Sequence, residues 1–436
     1  PYHCSDSKMS RYLLLLTIFF SSNIWSYPDI TIINYNKDYL LVEENALPII
    51  DVNLTINTGS RDDDKIIGLT AFSFALLQEQ VLKNEKIINS FEAIGAEYSS
   101  SVNKETSEIN IRFISSENNI KTVSRLLNIM LKHQYITDNS IDDLKEKFVK
   151  SINDREKKPG SVLSYRGDQI FFGDSRYRNP IRGYIEDIEK IKLKDVTNKL
   201  NSVIKIGKIS INLVGNIDQR KASHFIADIL FDIPLINKNS DFTYQHGYTN
   251  YNKYTHIPHE SKQTHISIYI PSIGRTDNNF YNLLVANYIF GGSGFGSMLM
   301  REIREKEGLA YSVYSYLQPY ENFGILKIGM QTENKNLKKS LDILKQQITN
   351  LKNMDFNDKE VELAKVGLLR SFKVRFDTNK KILSTLSAIN SYDFQKDYFF
   401  DYEEGLKNVT PASIEASLSQ ILSFDDIMII TVGNDN

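Results

Sequence analysis

An internal repeat constrains the fold of this chain more than any other sequence feature. Residues 209–216 read ISINLVGN, and residues 427–434 read IMIITVGN. Upstream of these two segments, residues 191–200 match residues 409–418 at the same spacing. Matching blocks that recur in the same order indicate a duplicated unit rather than a single long domain.

Each copy also contains an amphipathic helix after a pair of strand-like segments. Apolar residues recur in both helices at the spacing of one buried face. They are Val123, Leu126, Leu127, Met130 and Leu131 in the first copy, and Leu337, Leu341, Leu344, Ile348 and Leu351 in the second. Helices and strands do not alternate strictly, as they would in a doubly wound parallel sheet. We therefore predict an α+β fold of two homologous domains, each a mixed, mostly antiparallel sheet with helices packed on it.

The predicted organisation has four parts. Residues 1–26 contain upstream residues and an export signal, and residues 27–236 form an N-terminal domain. Residues 237–260 are polar and aromatic and are interpreted as a connector, and residues 261–436 form a C-terminal domain.

The export signal is predicted from the segment that begins at Met9. Arg11 precedes a short apolar run, and small and polar residues follow as far as Ser26, a pattern typical of a secretory signal. The run is shorter than the ~20 apolar residues that span a bilayer. A buried N-terminal strand or helix is the alternative. We expect an exported protein in the bacterial periplasm, without stable membrane insertion once the signal is removed.

Charge and cysteine content exclude several classes of function. The chain has 52 Lys and Arg against 54 Asp and Glu, a net charge of −2, which argues against nucleic-acid binding through an overall positive field. A single cysteine excludes a disulfide framework and a metal site built from several thiolates.

A glycine-rich segment marks the candidate site. Residues 290–297 read FGGSGFGS and are predicted to form a loop before a helix that Gly308 ends. Such a loop could cradle a phosphate, but the Lys-Ser/Thr ending of a P-loop and a dinucleotide GxGxxG after a strand are both missing. Flexible substrate-facing backbone and simple turn geometry both remain open for this segment.

Residues 287–311, NYIFGGSGFGSMLMREIREKEGLAY, resemble the C-terminal domain of the pitrilysin/insulinase family of zinc metallopeptidases. Residues 171–174, 180–183 and 263–266 fit the same family pattern, so the resemblance covers nearly the whole chain after the predicted signal. Members of this family are built from duplicated α+β domains, which agrees with the repeat.

The resemblance implies catalytic roles for two residues, Arg304 and Tyr311. Arg304 would hold the substrate backbone, and Tyr311 would donate a hydrogen bond to the oxygen that becomes negative in the tetrahedral intermediate. Substrate contacts are assigned to the neighbouring segment: Gly291, Gly292, Gly294 and Phe295. Without the resemblance, Arg304 would be a surface arginine at a helix end and Tyr311 a packing residue.

The zinc half of the family's site is missing. The family binds zinc through His-x-x-Glu-His on a helix of the first domain. The corresponding positions here are Ala71, Phe74 and Ala75. The best match for the third ligand is Ser151, flanked by Glu146 and Glu156. We therefore predict no metal ligand in this chain.

Two other clusters resemble metal sites less closely. His256, His259 and His265 lie within one short segment, but Pro258 prevents a regular helix that would present them together. We interpret them as connector residues rather than zinc ligands. Residues 62–64 are three aspartates before a helix and lack the other positions of an EF-hand loop.

These observations predict the non-zinc subunit of a heteromeric zinc metalloendopeptidase that is inactive alone. Its partner would be a homologous subunit that carries the zinc, and its substrate a peptide or an unfolded protein. The alternative is a catalytically inactive peptide-binding or scaffold protein of the same fold. A mitochondrial processing-peptidase-like subunit ranks last, because it would need an arginine-rich amphipathic presequence.

Overall fold

The structure, a computed structural model, describes residues 27–35, 37–235, 253–422 and 426–434. The predicted export signal and residues 237–252 of the predicted connector lie outside these ranges. Within the described ranges, no helix is both long enough and apolar enough to cross a membrane.

The first half of the chain contains eight strands and eight α-helices among its described residues. The strands are β1 (Thr31–Asn34), β2 (Asp38–Glu43), β3 (Ile49–Ile56), β4 (Val81–Leu82), β5 (Glu85–Lys86), β6 (Glu97–Val102), β7 (Ser107–Ile114) and β8 (Ile209–Gly215). The helices are α1 (Leu69–Leu76), α2 (Ile87–Glu92), α3 (Glu117–Lys132), α4 (Asp138–Glu156), α5 (Pro159–Phe172), α6 (Ile185–Lys190), α7 (Leu193–Val203) and α8 (Gln219–Leu230).

The second half, over residues 253–422 and 426–434, contains five strands and six α-helices. The strands are β9 (Lys253–Pro258), β10 (Gln263–Ser272), β11 (Val313–Pro319), β12 (Gly324–Glu333) and β13 (Met428–Gly433). The helices are α9 (Phe280–Asn287), α10 (Leu337–Lys352), α11 (Asp358–Lys373), α12 (Asn379–Ser391), α13 (Tyr398–Lys407) and α14 (Pro411–Ile421).

The two main sheets share one topology. The first has the order β1-β2-β8-β3-β7-β6, and the second has the order β11-β12-β10-β13-β9. Read from its other edge, the second sheet has the order β9-β13-β10-β12-β11. This order corresponds strand for strand to β2-β8-β3-β7-β6 of the first sheet. Each sheet has one parallel pair, β2 with β8 or β9 with β13, and its other pairs are antiparallel. The predicted α+β fold of two homologous domains, each with a mostly antiparallel sheet, is confirmed.

The amphipathic faces predicted for α3 and α10 are also confirmed. All five apolar residues of the predicted face of α3 are buried. On the predicted face of α10, three residues are buried: Leu344, Ile348 and Leu351. The other two, Leu337 and Leu341, are partly buried and pack against the second core. One segment differs from the predicted organisation, because residues 253–258 of the predicted connector form β9 at the edge of the second sheet.

The two halves exchange a helix. α12, from the second half, packs on β3 and β8 of the first sheet, whereas α5, from the first half, packs on β10 and β13 of the second. This exchange covers the sheet faces opposite the remaining helices, so that β8 and β13 are buried along their whole length. Strands buried on both faces read as continuous apolar runs, and these strands are the two copies of the repeat.

Candidate functional site

The glycine-rich segment is helical rather than a loop, which corrects the prediction from sequence. After α9, residues Tyr288–Gly292 continue as a π-helical turn, and Gly294–Gly296 form a short 3₁₀ turn. Buried apolar residues, among them Phe290 and Leu299, anchor the segment to the second core. Clustered glycines in the sequence indicated a flexible backbone, but at least one of these glycines allows close packing of the helical segment on a strand.

The four residues assigned to substrate contact occupy different environments. Gly291 is buried, and a Cβ there would lie 2.3 Å from Ser315 Oγ and 2.6 Å from Ser315 N in β11. Close packing against β11 thus explains why this position is a glycine. Gly292, Gly294 and Phe295 are exposed, and the Phe295 side chain is 69% exposed. These three residues are accessible to a ligand, and their assignment to substrate binding stays a prediction.

Arg304 projects from a π-helical segment, Met300–Lys306. Such segments are rare and often occur at functional sites. The guanidinium carbon lies 4.6 Å from the centre of the Phe295 ring, within the range of a cation–π contact. Among the described residues, no carboxylate forms an ion pair with Arg304, although its neighbour Lys306 pairs with Glu302 at 2.8 Å. Arg304 therefore rests on an exposed ring with its donors available.

Tyr311 follows directly after the helical segment. Gly308, with a φ of +62°, ends that segment as predicted, and its N–H donates to the carbonyl of Arg304 at 3.0 Å. The Tyr311 side chain is 87% exposed and lies at a cavity of about 360 Å³ between α5 and the strands β10, β11 and β12. Arg304 does not line this cavity in the described part of the chain. Both residues lie shortly before β11 in the chain, and Tyr311 is two residues before its first residue, Val313.

Hydrogen-bonding and aromatic side chains line the rest of the cavity, here named the Tyr311 cavity. They include His265, Tyr269, Tyr314, Tyr316, Lys327 and Gln331. Tyr314 and Tyr316 stack with ring centres 6.1 Å apart on the exposed face of β11. Sequence reasoning missed these residues, although the alternation of β11 places both tyrosines on one face.

The electrostatics of the Tyr311 cavity favour neutral hydrogen-bonding groups. Burial lowers the pKa of His265, and the nearby His259 lowers it further, so that the ring is neutral at neutral pH. Burial, followed by the neighbouring Tyr314 and Asp168, raises the pKa of Tyr316 to about 12, which keeps its hydroxyl protonated. The cavity can therefore bind peptide carbonyls, and the exposed Tyr311 hydroxyl can donate to an oxygen that gains negative charge.

The positions of the family's zinc motif are apolar and packed. Ala71 and Phe74 are buried in the first core, where Phe74 is 1% exposed, and Ala75 packs against the same core. Ser151 lies on α4, where it lines a different, larger cavity. Within the described residues, no group of three or more His, Cys, Asp or Glu side chains is placed to hold a metal ion.

The histidine and aspartate clusters have separate structural partners. His256 contacts Thr431 Oγ1 at 2.8 Å, and His259 Nε2 lies 3.2 Å from the carbonyl of Glu156. Among residues 62–64, Asp63 accepts hydrogen bonds from two backbone amides at the start of α1, each at 2.9 Å. Asp64 pairs instead with Arg176.

Comparisons with known proteins found a matching family model and two similar bacterial proteins. The family profile described as "Peptidase M16 inactive domain" matches residues 190–368. A Bacillus subtilis protein named "Uncharacterized zinc protease YmxG" is 23% identical over 352 residues, which cover 79% of this chain and 83% of that protein. A Helicobacter pylori protein named "Non-peptidase homolog YmxG" is 25% identical over 364 residues, 81% of this chain and 82% of that protein.

The fold also matches a solved structure. The crystal structure of a peptidase M16 inactive domain from Pseudomonas fluorescens superposes with a TM-score of 0.86 at 23% identity, covering 94% of this chain and 98% of that chain. Residues 190–368 thus match the inactive domain of M16 peptidases, and the described residues share the fold of a solved M16 inactive domain.

Proposed function

We propose that this chain is the non-zinc subunit of a heteromeric zinc metalloendopeptidase. It binds a peptide or an unfolded protein, and Arg304 and Tyr311 complete the active site of a homologous, zinc-bearing partner. Zinc and the water-activating glutamate belong to that partner. The pattern of residues 9–26 supports export to the periplasm.

One observation carries this proposal: Tyr311 is exposed and Arg304 has no ion pair among the described residues, whereas the zinc-motif positions hold apolar side chains that cannot bind zinc. A tyrosine that only packs buries most of its ring, yet the Tyr311 side chain is 87% exposed. A surface arginine commonly pairs with a nearby carboxylate, yet Arg304 forms no ion pair within the described residues. β11 also lies at the edge of its sheet, where an extended peptide can add as a further strand.

The experiment that tests this proposal uses the chain mixed with a homologous subunit that has an intact His-x-x-Glu-His motif. We expect peptide hydrolysis from the mixture and none from this chain alone. Tyr311→Phe removes one donor to the developing oxyanion and should lower kcat by about 10²- to 10³-fold. KM should change little, because the lost interaction forms in the transition state.

Tyr254→Phe is the matched control. Tyr254 is an exposed tyrosine on β9, at the opposite edge of the same sheet, and this change should leave kcat unaltered. Equal turnover with and without the Tyr311 hydroxyl would refute its proposed role. Hydrolysis by this chain alone would refute the division of the active site between two subunits.

The second candidate is a peptide-binding or scaffold protein without catalysis. The name "Non-peptidase homolog" of the Helicobacter pylori relative favours it. In that case, co-purification should recover the chain with peptides or a larger assembly, and no zinc-bearing partner should gain activity from it.

A further inference from the structure

A second cavity lies between α4 and α5, close to the Tyr311 cavity. It has a volume of about 610 Å³, and the loop at residues 180–182 and Lys104 complete its wall. Ser164 of α5 lines both cavities. Asp168 of α5 joins them as well, because it lines the larger one and pairs with Lys327 of the Tyr311 cavity at 3.1 Å. We name the larger cavity the cationic cavity.

Positive charge dominates the wall of the cationic cavity. Six cationic side chains line it: Lys104, Lys147, Lys150, Arg155, Lys158 and Arg182. Only two carboxylates, Asp154 and Asp168, line it as well. The imbalance is local, since the whole chain carries a net charge of −2.

Three of the six cations are neutralised by neighbouring carboxylates. Lys104 pairs with Asp168 at 3.0 Å and Lys147 with Glu79 at 3.1 Å. Arg155 pairs with Glu156 at 3.3 Å. These three side chains are held in place by the fold and do not need a ligand.

The other three cations have no carboxylate partner within the described part of the chain. Lys150 and Lys158 are exposed at the cavity and form no ion pair there. Arg182 is exposed too, and its guanidinium carbon lies 5.3 Å from the centre of the Phe148 ring. Like charges that converge on one concavity without counter-charges favour an anionic ligand.

The aromatic side chain in the wall does not offer a stacking surface. The Tyr165 ring is contacted by Arg155 at 4.3 Å and by Arg166 at 5.2 Å, and its hydroxyl donates to Glu156 at 2.5 Å. A nucleobase would need a free ring on which to stack. The cavity therefore recognises its ligand through charge, and the three cations left unpaired among the described residues can pair with more than one oxyanion.

We propose that the cationic cavity binds an acidic segment of the peptide substrate, whose carboxylates pair with Lys150, Lys158 and Arg182. This inference rests on the proposed function for its choice of a peptide ligand. Ser164 of α5 lines both cavities, so a peptide that enters the Tyr311 cavity can place its acidic residues in the cationic one. The chain then selects acidic stretches at a distance from the bond to be cleaved.

The test measures binding to the full chain alone, without a zinc-bearing partner, by fluorescence anisotropy. The probes are two labelled ten-residue peptides, one alternating Glu with Ser and the other alternating Gln with Ser. We expect the Glu peptide to bind more tightly than the Gln peptide and its affinity to fall as salt is added. The variant Lys150→Gln/Lys158→Gln/Arg182→Gln should weaken binding of the Glu peptide about tenfold. A change of this size is expected when several exposed ion pairs are lost together.

The matched control removes three exposed lysines elsewhere, Lys121→Gln/Lys359→Gln/Lys396→Gln, and should leave the affinity for the Glu peptide unchanged. As a second variant, Lys150→Glu/Lys158→Glu should bind a peptide that alternates Lys with Ser in place of the Glu peptide. Equal affinity of the two first probes, or equal losses in the two glutamine triple variants, would overturn the proposal. So would binding of inorganic tripolyphosphate without binding of the Glu peptide.

The outcome is separable from that of the proposed function. If the Glu peptide fails to bind while the mixed subunits still cleave peptides and Tyr311→Phe slows them, the acidic specificity is wrong and the proposed function stands. If the Glu peptide binds as expected but no partner restores cleavage, the cavity is a peptide site of a non-catalytic protein.

Discussion

At the scale of single residues, the glycines around the site differ in what they do. Gly291 is buried against β11, whereas Gly294 is exposed and has no atom within 4 Å of the position a Cβ would take. Gly294 needs glycine only for its backbone, which has a φ of +66°. Two residues of one short sequence motif are thus required for different physical reasons.

Substituting each of these glycines by alanine should separate the two reasons. Gly291→Ala forces a Cβ onto the backbone of Ser315, and we expect it to lower the free energy of unfolding by about 1–3 kcal/mol. Gly294→Ala should lower the free energy of unfolding by about 1 kcal/mol, because alanine must then adopt a left-handed backbone conformation. Urea denaturation measures both. A smaller loss for Gly291→Ala than for Gly294→Ala would show that the helical segment shifts freely against β11.

At the scale of elements, the exchanged helices hold the two halves together through specific contacts. Asn390 of α12 donates to Asn212 of β8 at 2.6 Å, and Ser387 lies 2.9 Å from Thr55 of β3. On the other side, Phe171 of α5 packs 5.2 Å from the ring centre of Tyr269 in β10. Each sheet thus depends on a helix that the other half of the chain supplies.

Two glycines of α5 provide a test of this docking. A Cβ at Gly167 would lie 2.2 Å from the hydroxyl oxygen of the buried Tyr269, whereas one at Gly160 would be in ordinary contact, 3.5 Å from His265 Nδ1. Alanine is favoured over glycine in a helix by about 1 kcal/mol. We expect Gly160→Ala to be neutral or stabilising and Gly167→Ala to destabilise by about 1–3 kcal/mol, despite the better helix former. Thermal and urea unfolding would show it, and equal stability of both variants would mean that α5 does not pack closely on β10.

At the scale of the whole molecule, a buried charge cluster connects the halves. Asp168 of α5 pairs with Lys104 at 3.0 Å and with Lys327 of β12 at 3.1 Å, and all three residues are buried. Lys104 also donates to the carbonyl of Asn179 at 3.1 Å. One carboxylate thus holds a cation from each half.

Asp168→Asn should leave both buried lysines without their counter-charge. Breaking a buried ion pair by removing one partner typically costs about 3–5 kcal/mol. We expect a loss of that size in the free energy of unfolding, with the two halves unfolding less cooperatively. A loss below about 1 kcal/mol in urea denaturation would mean that water already compensates the cluster.

The Asp168 carboxylate also makes the stability of the fold depend on pH. Burial would raise the pKa of Asp168, but Lys104 and Lys327 outweigh burial and hold that pKa below its usual range. The stabilisation is therefore present above the unfolded-state value of about 3.9 and is lost as the pH falls through the folded-state pKa. The free energy of unfolding should be measured from pH 7 to pH 3 for the unmodified chain and for Asp168→Asn. The difference between these two free energies should shrink below about pH 4. A constant difference would contradict the ion pair as its cause.

The residues proposed for the site could be named from the sequence because family resemblance is carried by local motifs. Arg304 and Tyr311 were identified by their spacing near a helix end, and the apolar substitutions Ala71 and Phe74 by their place in a short motif. The cationic cavity was not predictable, since its cations come from positions between Lys104 and Arg182 and look like ordinary surface charges. Only their convergence on one concavity distinguishes them.

The sequence by itself determined the duplicated α+β architecture, the amphipathic faces of α3 and α10, and the missing zinc motif. Periodicity and local motifs depend on neighbours along the chain, so they can be read directly. The tertiary structure alone decided that α5 and α12 are exchanged, that the glycine-rich segment is helical, and that Asp168 joins both halves. These features arise from contacts between residues far apart in the chain, where packing and burial outweigh local propensity.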